Sequence, residues 1–273
     1  MLHNVAVLFH PHRQRAIEEA RWLQGALGEA GAQAVLGSGW DAETVRRDAC
    51  GKDLVVALGG DGTIIQITRQ VAPCGAPVLG VNLGRVGFLA ELTPEDLRKC
   101  LPAVIEGDFW VEERSMLDVK LDGNGGEETF LALNELAVAR GLSPRAIHVQ
   151  TALDSVPFLT YTADAVLVAT ATGSTAYSLA AGGAIMFPQD RNFMLTPVAP
   201  HLNIGRSIIL PSDTEVRLTL ASERAAVMSV DGSDERPLEP DHTVTVRRSQ
   251  TFARFARLGP VSYFYQAISD RLR

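Results

Sequence analysis

The aliphatic run at residues 54–58 (Leu-Val-Val-Ala-Leu) most constrains the fold, because it leads directly into the glycine-rich segment 59–63 (Gly-Gly-Asp-Gly-Thr). A continuous apolar run of this length is typical of a central parallel strand that is buried on both faces. The residues from Thr63 to Val71 then follow a helical pattern. A buried strand, a glycine turn and a helix form the repeating unit of a doubly wound α/β fold, so this segment predicts that fold class.

The rest of the first hundred residues repeats this alternation of strand and helix. Five further segments match it: strands at 5–9 and 76–81, and helices at 13–30, 41–49 and from Thr93 onward. Thr93 is a good helix cap, and Pro94 suits the first helical position. We therefore predict an α/β domain with a doubly wound parallel sheet over residues 1–107.

Short β-rich runs separated by turn-forming segments dominate after Gly107. The predicted strands lie at 116–121, 129–139, 147–153, 166–169, 207–210, 216–220 and 244–247, with turn signals at 122–126, 154–155 and 211–213. This pattern indicates a β-rich, sandwich-like second domain over residues 108–260. Residues 261–273 are predicted to form a final amphipathic helix that packs back on the first domain.

Composition narrows the classes of partner and compartment. The chain has 32 acidic and 25 basic residues, a net charge of −7, which argues against nucleic acid as a partner. The three cysteines, Cys50, Cys74 and Cys100, are widely spaced, so we expect neither a disulfide framework nor a zinc site, and a reducing, cytoplasmic compartment. Residues 165–189 carry no charge, but their threonines, serines and glycines make them too polar to span a membrane.

The segment 59–63 is the first candidate for chemistry. Its glycines let backbone N–H groups approach a phosphate closely, and the helix that follows favours negative charge at its start. A carboxylate there would repel a phosphate, so Asp61 fits only as a metal ligand or as a base that faces a hydroxyl. The alternative is a tight Asp-Gly turn without a function. A second glycine-rich segment at 80–89 contains Phe88, and by itself it also fits an ordinary loop with one buried phenylalanine.

Two polar segments interrupt the β-rich half. Asn134 and Glu135 stand inside an apolar run, where they are costly to bury unless a partner satisfies them, such as an adenine edge or a ribose hydroxyl. An exposed strand end is the alternative. In residues 163–183 a strand leads into Thr-Gly-Ser-Thr and then a helix start, whose hydroxyl and N–H groups could bind ribose and phosphate. A capped helix would explain Ser174 or Thr175, but not the whole run.

Together these segments resemble the bacterial NAD kinase family. The matching segments follow the family's order and spacing over most of the chain: 59–63, 80–89, 134–135, Asp164, 172–183 and 230–232. The first of them alone is less specific, being similar to segments of phosphofructokinases and diacylglycerol kinases. The resemblance implies an N-terminal α/β domain, a β-rich C-terminal domain and an active site between them. It also implies NAD and ATP as substrates, Mg²⁺ or another divalent cation as the cofactor, and a homodimer or homotetramer.

Residue roles follow from the resemblance by position. Asp61 would be the catalytic carboxylate, taking the proton of the 2′-hydroxyl of the adenosine ribose of NAD as the phosphoryl group is transferred. Tyr177 would offer a stacking face, and Arg145 a basic group near phosphate, with a neighbouring subunit as one possible source. The other implied nucleotide contacts are Gly60, Gly62, Thr63, Phe88, Asn134, Glu135, Asp164, Ser174, Thr175, Ala176, Ser178 and Ala180.

Four positions depart from the family's usual residues: Ala165 stands for Gly, Ala171 for Pro, Ala180 for Ser and Ser233 for Gln. Two alternatives to an NAD kinase therefore stay open. One is a kinase of another acceptor, such as a lipid, and the other is a non-catalytic NADP(H)-binding regulator. Polyphosphate stays open as a second phosphoryl donor.

Overall fold

The computed structural model describes residues 1–84, 87–123, 126–201, 205–222 and 224–271. Parts of three predicted features lie outside the described residues: Arg85 and Val86 of the second glycine-rich segment, Asn124 and Gly125 of a predicted turn, and the last two residues of the tail helix. The chain divides into unit 1, which comprises Met1–Glu113 and Phe252–Arg273, and unit 2, which comprises Arg114–Thr251.

In chain order the helices and strands are β1 (Asn4–Phe9), α1 (Gln14–Glu29), β2 (Gln33–Ser38), α2 (Ala42–Ala49), β3 (Leu54–Gly59), α3 (Asp61–Val71), β4 (Val78–Asn82), α4 (Pro94–Glu106), β5 (Trp110–Gly123), β6 (Gly126–Ala132), β7 (Glu135–Arg140), β8 (Ile147–Leu153), β9 (Val156–Ala163), β10 (Ala165–Thr170), α5 (Tyr177–Ala180), β11 (Phe193–Val198), β12 (Ile208–Leu210), β13 (Val216–Leu220), β14 (Ala226–Val230), β15 (Asp234–Leu238), β16 (Thr243–Arg257) and α6 (Tyr263–Arg271). Short 3₁₀ turns cover Ala72–Cys74 and Gly173–Thr175. Both boundaries between the units therefore fall inside long strands, β5 and β16.

Unit 1 confirms the predicted doubly wound parallel sheet. Its strands run in the order β2-β1-β3-β4, all parallel, and Phe255 near the end of β16 pairs with Val78 of β4. Every residue of β3 is buried, as the aliphatic run predicted. The strand β2 was not predicted, because it lies at the edge of the sheet and is only partly buried, so its apolar signal is weak.

The helices of unit 1 begin where their capping residues stand. The side chain of Asp41 caps α2, and Thr93 forms a capping box with Asp96 at the start of α4. Helix α3 begins at Asp61, two residues before the predicted start, with Gly60 as its cap. This shift makes Asp61 the first helical residue after β3, so its position is set by the strand and the helix together.

Unit 2 is the predicted β-rich, sandwich-like unit. A six-stranded antiparallel sheet has the order β12-β11-β10-β7-β14-β15. Opposite it, β16, β13, β8 and β9 pair antiparallel in that order, and β5 pairs with β6. One apolar core contains side chains from both sheets, among them Val168 of β10 and Val216 of β13. Alternate residues of the two sheets therefore face each other across a shared core.

Several strands of unit 2 differ from the prediction. The run at 129–139 forms two strands, β6 and β7, and the run at 244–247 is the start of the 15-residue strand β16. Strands β9, β11, β14 and β15 were not predicted. Three of these strands contain a proline, at positions 157, 197 and 237, and a proline in a sequence argues against predicting a strand there. Strands β9 and β15 tolerate it because they are edge strands.

The structure corrects the expectation about disulfides. Cys50 and Cys74 form a disulfide with their Cα atoms 5.5 Å apart, while Cys100 is free and half-buried. Cys50 caps the C-terminus of α2, which packs on α3, and the 3₁₀ turn after α3 contains Cys74, so packing brings together two cysteines that are 24 residues apart. Within the described residues, no helix has the length and apolar character needed to cross a membrane.

Candidate active site

In unit 1, Asp61 lies at the carboxyl end of β3 and in the first turn of α3. Carboxyl ends of parallel strands are where open α/β sheets bind ligands. Oδ2 of Asp61 accepts a hydrogen bond from the backbone N–H of Phe88, 3.2 Å away. The carboxylate is therefore anchored from a second loop and does not depend on its own helix alone.

Gly87 makes this anchoring possible. A Cβ atom at position 87 would lie 1.6 Å from Oδ1 of Asp61 and 2.0 Å from its carboxyl carbon. Any side chain there would displace the carboxylate or the loop. The second glycine-rich segment thus has a specific steric task, which is to let its backbone approach Asp61.

The three predicted neighbours of Asp61 divide into two roles. A Cβ atom at Gly60 or Gly62 would meet nothing within 4 Å, so both positions open onto free space in which a phosphate could approach the backbone. Thr63 is buried instead, and its N–H donates to the carbonyl oxygen of Gly60 at 2.9 Å. Phe88 is half-buried, with its ring centroid 6.4 Å from that of Phe264 in α6.

In unit 2, Asp231 fixes the segment that separates β6 from β7. Its carboxylate accepts three backbone N–H groups, from Leu133 at 2.8 Å, Asn134 at 2.7 Å and Glu135 at 3.0 Å. Asp231 itself has a positive φ of 51°, a conformation that aspartate tolerates better than most residues. These bonds replace the ladder bonds that a continuous strand would make, which explains why the predicted single strand is interrupted.

The side chains of Asn134 and Glu135 are buried, but each has an oxygen atom without a hydrogen-bond partner in the described part of the chain. Both residues are only 8% exposed, yet Oδ1 of Asn134 and Oε2 of Glu135 have no hydrogen-bond partner among the described residues. Buried polar atoms are almost always satisfied in proteins, so these two atoms are available for hydrogen bonds to a ligand or to water. The alternative of an exposed strand end does not hold, because both side chains are buried.

Burial raises the pKa of the Glu135 carboxyl to about 8, and the nearby Asp231 carboxylate acts in the same direction. The backbone N–H of Tyr177 donates to the carboxyl and acts in the opposite direction, but it does not offset the other two causes. Glu135 is therefore protonated at neutral pH and can donate a hydrogen bond as well as accept one.

The segment after β10 lies beside Asn134 and Glu135. Thr170 joins this segment to the residues before β7. Its N–H donates to the carbonyl oxygen of Asn134 at 2.8 Å, and its hydroxyl donates to the carbonyl oxygen of Leu133 at 2.6 Å. A Cβ atom at Gly173 would lie 2.1 Å from the carbonyl oxygen of Asn134, so only glycine permits this contact. Together with the bond from Tyr177, these contacts place the two polar segments at one site within unit 2.

Most hydroxyls of this segment bind within the protein. Ser174 is fully buried, donates to the carbonyl oxygen of Ala171 at 2.6 Å and accepts from the N–H of Met186 at 3.0 Å. Thr175 donates to the carbonyl oxygen of Thr172 at 3.0 Å, and Ser178 is buried with its hydroxyl 3.2 Å from that of Thr196. The buried hydroxyl of Thr172, in contrast, has no partner among the described residues.

The predicted helix after this segment is short, since α5 has only four residues. The side chain of Tyr177 is 42% exposed and that of Ala180 is exposed as well, whereas Ala176 is half-buried. Tyr177 thus combines an internal backbone bond to Glu135 with an aromatic ring that faces solvent, which is the arrangement a stacking residue needs.

Asp164 and Arg145 lie at the other end of the sheet. Residues Ala169 and Glu135 are paired at one end of β10 and β7, while at the opposite end the N–H of Arg140 donates to the carbonyl oxygen of Asp164 at 2.9 Å. At 3.4 Å per residue this separates Asp164 from Glu135 by about 17 Å. The Asp164 carboxylate pairs with Arg140 at 3.1 Å, and Arg145 is exposed in the loop that follows β7.

Among the described residues, no group of three or more His, Cys, Asp or Glu side chains is arranged to hold a metal ion. Mg²⁺ does not need such a group, because it keeps several waters and is commonly held by one or two carboxylates and by substrate phosphates. Asp61 beside the open space at Gly60 and Gly62 is compatible with that mode. The residues present therefore fit a Mg²⁺ ion brought in with donor phosphates.

Unit 2 also contains a groove of about 810 Å³ that lies away from these residues. Five of its six charged side chains are paired: Glu215 binds Arg217 at 2.7 Å and also Arg247, and Lys120 lies 3.3 Å from Asp122, while the sixth is Asp118. A groove lined mostly by ion pairs offers less to a ligand than the unsatisfied atoms of Asn134 and Glu135, so size alone does not identify the site.

Four residues of this geometry were not singled out as site residues from the sequence: Gly87, Asp231, Thr172 and Gly173. The signal for Asp231 was available, because an Asp-Gly pair follows a short apolar run at 226–230. Gly87 and Gly173 lie in the segments 80–89 and 172–183 that match the family, but nothing in the sequence distinguished them from the other glycines there. Each is required by one close contact, with Asp61 or with Asn134, and that contact is visible only in three dimensions.

Comparisons with known proteins agree on one family. A family model described as the ATP-NAD kinase N-terminal domain matches residues 10–109, and one described as the ATP-NAD kinase C-terminal domain matches residues 133–258. The chain is 37% identical over 275 residues to an NAD kinase of Dehalococcoides mccartyi, covering 100% of this chain and 97% of the relative. It is 38% identical over 275 residues to an NAD kinase of Chloroflexus aurantiacus, covering 100% and 99%.

Two solved structures have the same fold. A yeast NADH kinase complexed with NADH superposes with a TM-score of 0.88 at 25% identity, over 99% of this chain and 87% of that one. An NAD kinase from Archaeoglobus fulgidus in complex with ATP superposes with a TM-score of 0.78 at 25% identity, over 97% of both chains.

Proposed function

The chain belongs to the NAD kinase family, and from that premise we propose that it transfers the terminal phosphoryl group of ATP to the 2′-hydroxyl of the adenosine ribose of NAD. It is an NAD kinase that converts NAD to NADP, with ATP as donor. The fixed carboxylate of Asp61 is the single observation that best supports the chemistry proposed for it.

Asp61 acts as the general base. Phosphoryl transfer needs positioning and charge neutralisation more than covalent catalysis, so the useful task for a carboxylate is to orient a hydroxyl and accept its proton. The bond from the Phe88 N–H and the space left by Gly87 hold the carboxylate in one place. The donor phosphates approach the open backbone at Gly60 and Gly62. Asp61 and the donor phosphates would hold a Mg²⁺ ion, which would offset the negative charge that develops during transfer.

The polar site of unit 2 binds NAD. Oδ1 of Asn134 accepts a hydrogen bond from the nucleotide, while the protonated Glu135 donates one and accepts another. The unsatisfied hydroxyl of Thr172 is a third partner. Tyr177 contributes its exposed ring, and Thr175, Ala176 and Ala180 contribute backbone and small side chains around it. The buried hydroxyls of Ser174 and Ser178 support this surface from below and do not reach the ligand.

The distance of about 17 Å from Glu135 to Asp164 favours a homo-oligomer. If Asp164 and Arg145 contact the nucleotide, they do so most simply in the site of a second subunit, because they lie at the opposite end of their own sheet. We therefore propose a homodimer or homotetramer in which each subunit supplies these two residues to a neighbour. Sedimentation at working concentration measures the assembly directly.

We also propose a cytoplasmic location. Disulfides are rare in that compartment, so the Cys50–Cys74 pair would be reduced there and would oxidise only on exposure to an oxidising medium. Alkylating the thiols during extraction and counting the modified cysteines by mass spectrometry tests both statements.

The Asp61→Asn variant tests the proposed chemistry. The amide keeps the size of the side chain but cannot accept a proton, so we expect turnover with NAD, ATP and Mg²⁺ to fall at least ~10²-fold, and the Kd for NAD to change only a few-fold. Asp108→Asn, at an exposed aspartate of unit 1, is the matched control and should leave both values unchanged. Near-normal turnover of Asp61→Asn would remove Asp61 from catalysis.

A further inference from the structure

The order of strands in unit 1 identifies where its sheet changes direction. From β1 the chain passes to β2 on one side and then returns to β3 on the other, so the order β2-β1-β3-β4 has its switch point between β1 and β3. Crevices at the carboxyl ends of the strands on either side of such a point bind ligands in doubly wound folds. Gly60 and Asp61 follow β3 at this crevice, and His10 follows β1.

Backbone hydrogen bonds join the three strand ends in a row. The N–H of His10 donates to the carbonyl oxygen of Leu58 in β3 at 3.1 Å, and the N–H of Gly39, which follows β2, donates to that of Phe9 in β1 at 2.9 Å. Neighbouring strands are about 4.8 Å apart, so the residues that follow β2 lie about 10 Å from those that follow β3. The loops after β1 and β2 therefore form one continuous edge with the catalytic loop.

Trp40 stands on this edge with its ring open to solvent. It is 55% exposed, whereas Trp22 and Trp110 are half-buried. The Trp40 ring lies 4.9 Å from the His10 ring, tilted by 57°, and the His12 ring meets that of His10 edge-on at 6.0 Å. A single exposed aromatic residue is common, but here the ring contacts a second aromatic ring and lies on the crevice edge.

The turn that carries Trp40 also packs on the helix that carries Asp61. A Cβ atom at Gly39 would lie 2.6 Å from Cδ1 of Ile67, so this turn lies directly against α3. Ile67 follows Asp61 by six residues, which is about 9 Å along the helix axis. The positions of Trp40 and Asp61 are thus both fixed relative to α3.

Burial lowers the pKa of His10, and the charges of Arg13 and His12 lower it further, which favours the neutral form of the ring. The neighbouring rings of Trp40 and His10 suit the face of a nucleobase, because every base has a π-face that stacks on aromatic side chains.

We propose that Trp40, supported by His10, stacks on the purine base of the ATP donor, so that the triphosphate extends along the crevice edge toward Gly60 and Gly62. The inference rests on the proposed phosphoryl transfer at Asp61, and it gives that reaction a site that prefers a nucleoside triphosphate over a donor without a base. Polyphosphate would bind only through the phosphate end of the same edge.

Donor kinetics with and without a base provide the test. Loss of one stacking contact typically weakens binding about 5- to 100-fold, so we expect Trp40→Ala to raise the KM for ATP by that factor. The KM for ribose 5-triphosphate, or its inhibition constant against ATP if it is not turned over, should equal the wild-type value. Trp40→Phe should restore most of the ATP affinity. Phe158→Ala, at an exposed aromatic residue of unit 2, should leave all these constants unchanged.

Three results would overturn the inference while leaving NAD kinase activity itself intact. These are an unchanged KM for ATP in Trp40→Ala, an equal rise for ATP and ribose 5-triphosphate, or a change of oligomeric state in Trp40→Ala, which would make Trp40 a subunit contact. If Trp40→Ala does not fold, tryptophan fluorescence decides: ATP should quench the wild type more than ribose 5-triphosphate does, and Trp40→Phe should lose that difference. Absence of turnover in the wild type would instead contradict the proposed function.

Discussion

We propose opposite electrostatic roles for two carboxyl groups of this chain. Asp61 would face a hydroxyl as a base, while Glu135 would keep its proton and donate a hydrogen bond, because burial and the Asp231 carboxylate raise its pKa. Both are positioned by contacts with backbone: the Phe88 N–H binds Asp61, and the Tyr177 N–H binds Glu135. In this proposal their surroundings, more than their residue types, decide which of them accepts a proton and which keeps one.

Gly87→Ala tests how tightly Asp61 is held. The new Cβ atom would lie 1.6 Å from Oδ1 of Asp61, so the carboxylate has to move. We expect turnover to fall by about as much as in Asp61→Asn, ~10²-fold, with the KM for NAD within a few-fold of wild type, because a misplaced base loses its catalytic effect. The measurement is steady-state kinetics on variants of confirmed thermal stability.

Gly84→Ala is the matched control for that substitution. It lies in the same glycine-rich segment, but its Cβ atom would meet Oδ1 of Asn82 at an ordinary 3.7 Å. Normal turnover of Gly87→Ala would show that the loop adapts, and that Gly87 does not position Asp61.

The role that we propose for Glu135 in NAD binding, together with its raised pKa, predicts that the KM for NAD depends on pH. The carboxyl loses its proton above about pH 8, and with it the ability to donate a hydrogen bond, so we expect the KM for NAD to rise through that pH. Glu135→Gln cannot titrate and still donates, so its KM should stay flat. Glu128→Gln, at an exposed glutamate of β6, should keep the wild-type profile. A wild-type KM that stays flat from pH 6 to 9 would contradict the assignment.

The free energy of unfolding should also depend on pH through Glu135, and it should decrease as the pH rises. The folded pKa of about 8 lies above the ordinary value of 4.5, so between these pH values the folded state binds the proton that the unfolded state has lost. The contribution of Glu135 to the free energy of unfolding is therefore fully present below pH 4.5 and declines as the pH rises to about 8. Glu135→Gln removes this part of the slope.

At the scale of elements, the disulfide encloses the loop that we propose as catalytic. The chain between Cys50 and Cys74 contains β3, residues 59–63 and α3. Closing a loop of this length typically stabilises a protein by about 3 kcal/mol, so we expect dithiothreitol to lower the free energy of unfolding by about that amount. Urea unfolding followed by tryptophan fluorescence measures it. A Cys50→Ser/Cys74→Ser variant should not respond to the reductant.

A different outcome of the urea experiment would contradict the presence of this disulfide. Identical urea midpoints with and without dithiothreitol, together with three reactive thiols in the unfolded protein, would show that Cys50 and Cys74 are not joined. The odd number of cysteines and their wide spacing gave no sign of this pair, because the packing of α2 on α3 brings them together.

The sequence predicted the elements of unit 1 better than those of unit 2, for a physical reason. The strands β1, β3 and β4 are buried on both faces, so their apolar runs stand out, and α4 has a full set of capping residues. In unit 2, β10 is fully buried and was predicted, but strands such as β9 and β15 are largely exposed, some strands contain proline, and β16 carries arginines, so their patterns resemble those of loops.

At the scale of the whole molecule, the sequence indicated which residues are polar in apolar surroundings but not how they are held. Asn134 and Glu135 were recognisable because two polar residues interrupt an apolar run. The three N–H bonds to Asp231 join segments nearly a hundred residues apart, and the separation of Asp164 from Glu135 depends on which strand ends are paired. Long-range pairing of this kind is not encoded in local pattern, so these features needed the structure.

Each unit supplies a different part of the reaction in this account. Unit 1 carries the base and the open backbone for phosphates, and unit 2 carries the unsatisfied polar groups that we assign to NAD. Neither the groups of unit 1 nor those of unit 2 identify by themselves the atom of NAD that accepts the phosphoryl group. The central claim is therefore that phosphoryl transfer occurs to one oxygen, the 2′-oxygen of the adenosine ribose.

Phosphorus NMR of the product formed from NAD, and from an analogue that lacks this 2′-hydroxyl, tests the claim most directly. Correct placement of a reacting group can lower a barrier by ~7–11 kcal/mol, so the remaining hydroxyls should be inert. We expect a single 2′-phosphate from NAD, and from the analogue competitive inhibition without any phosphorylated product. A 3′-phosphate from NAD, or any product from the analogue, would contradict the account.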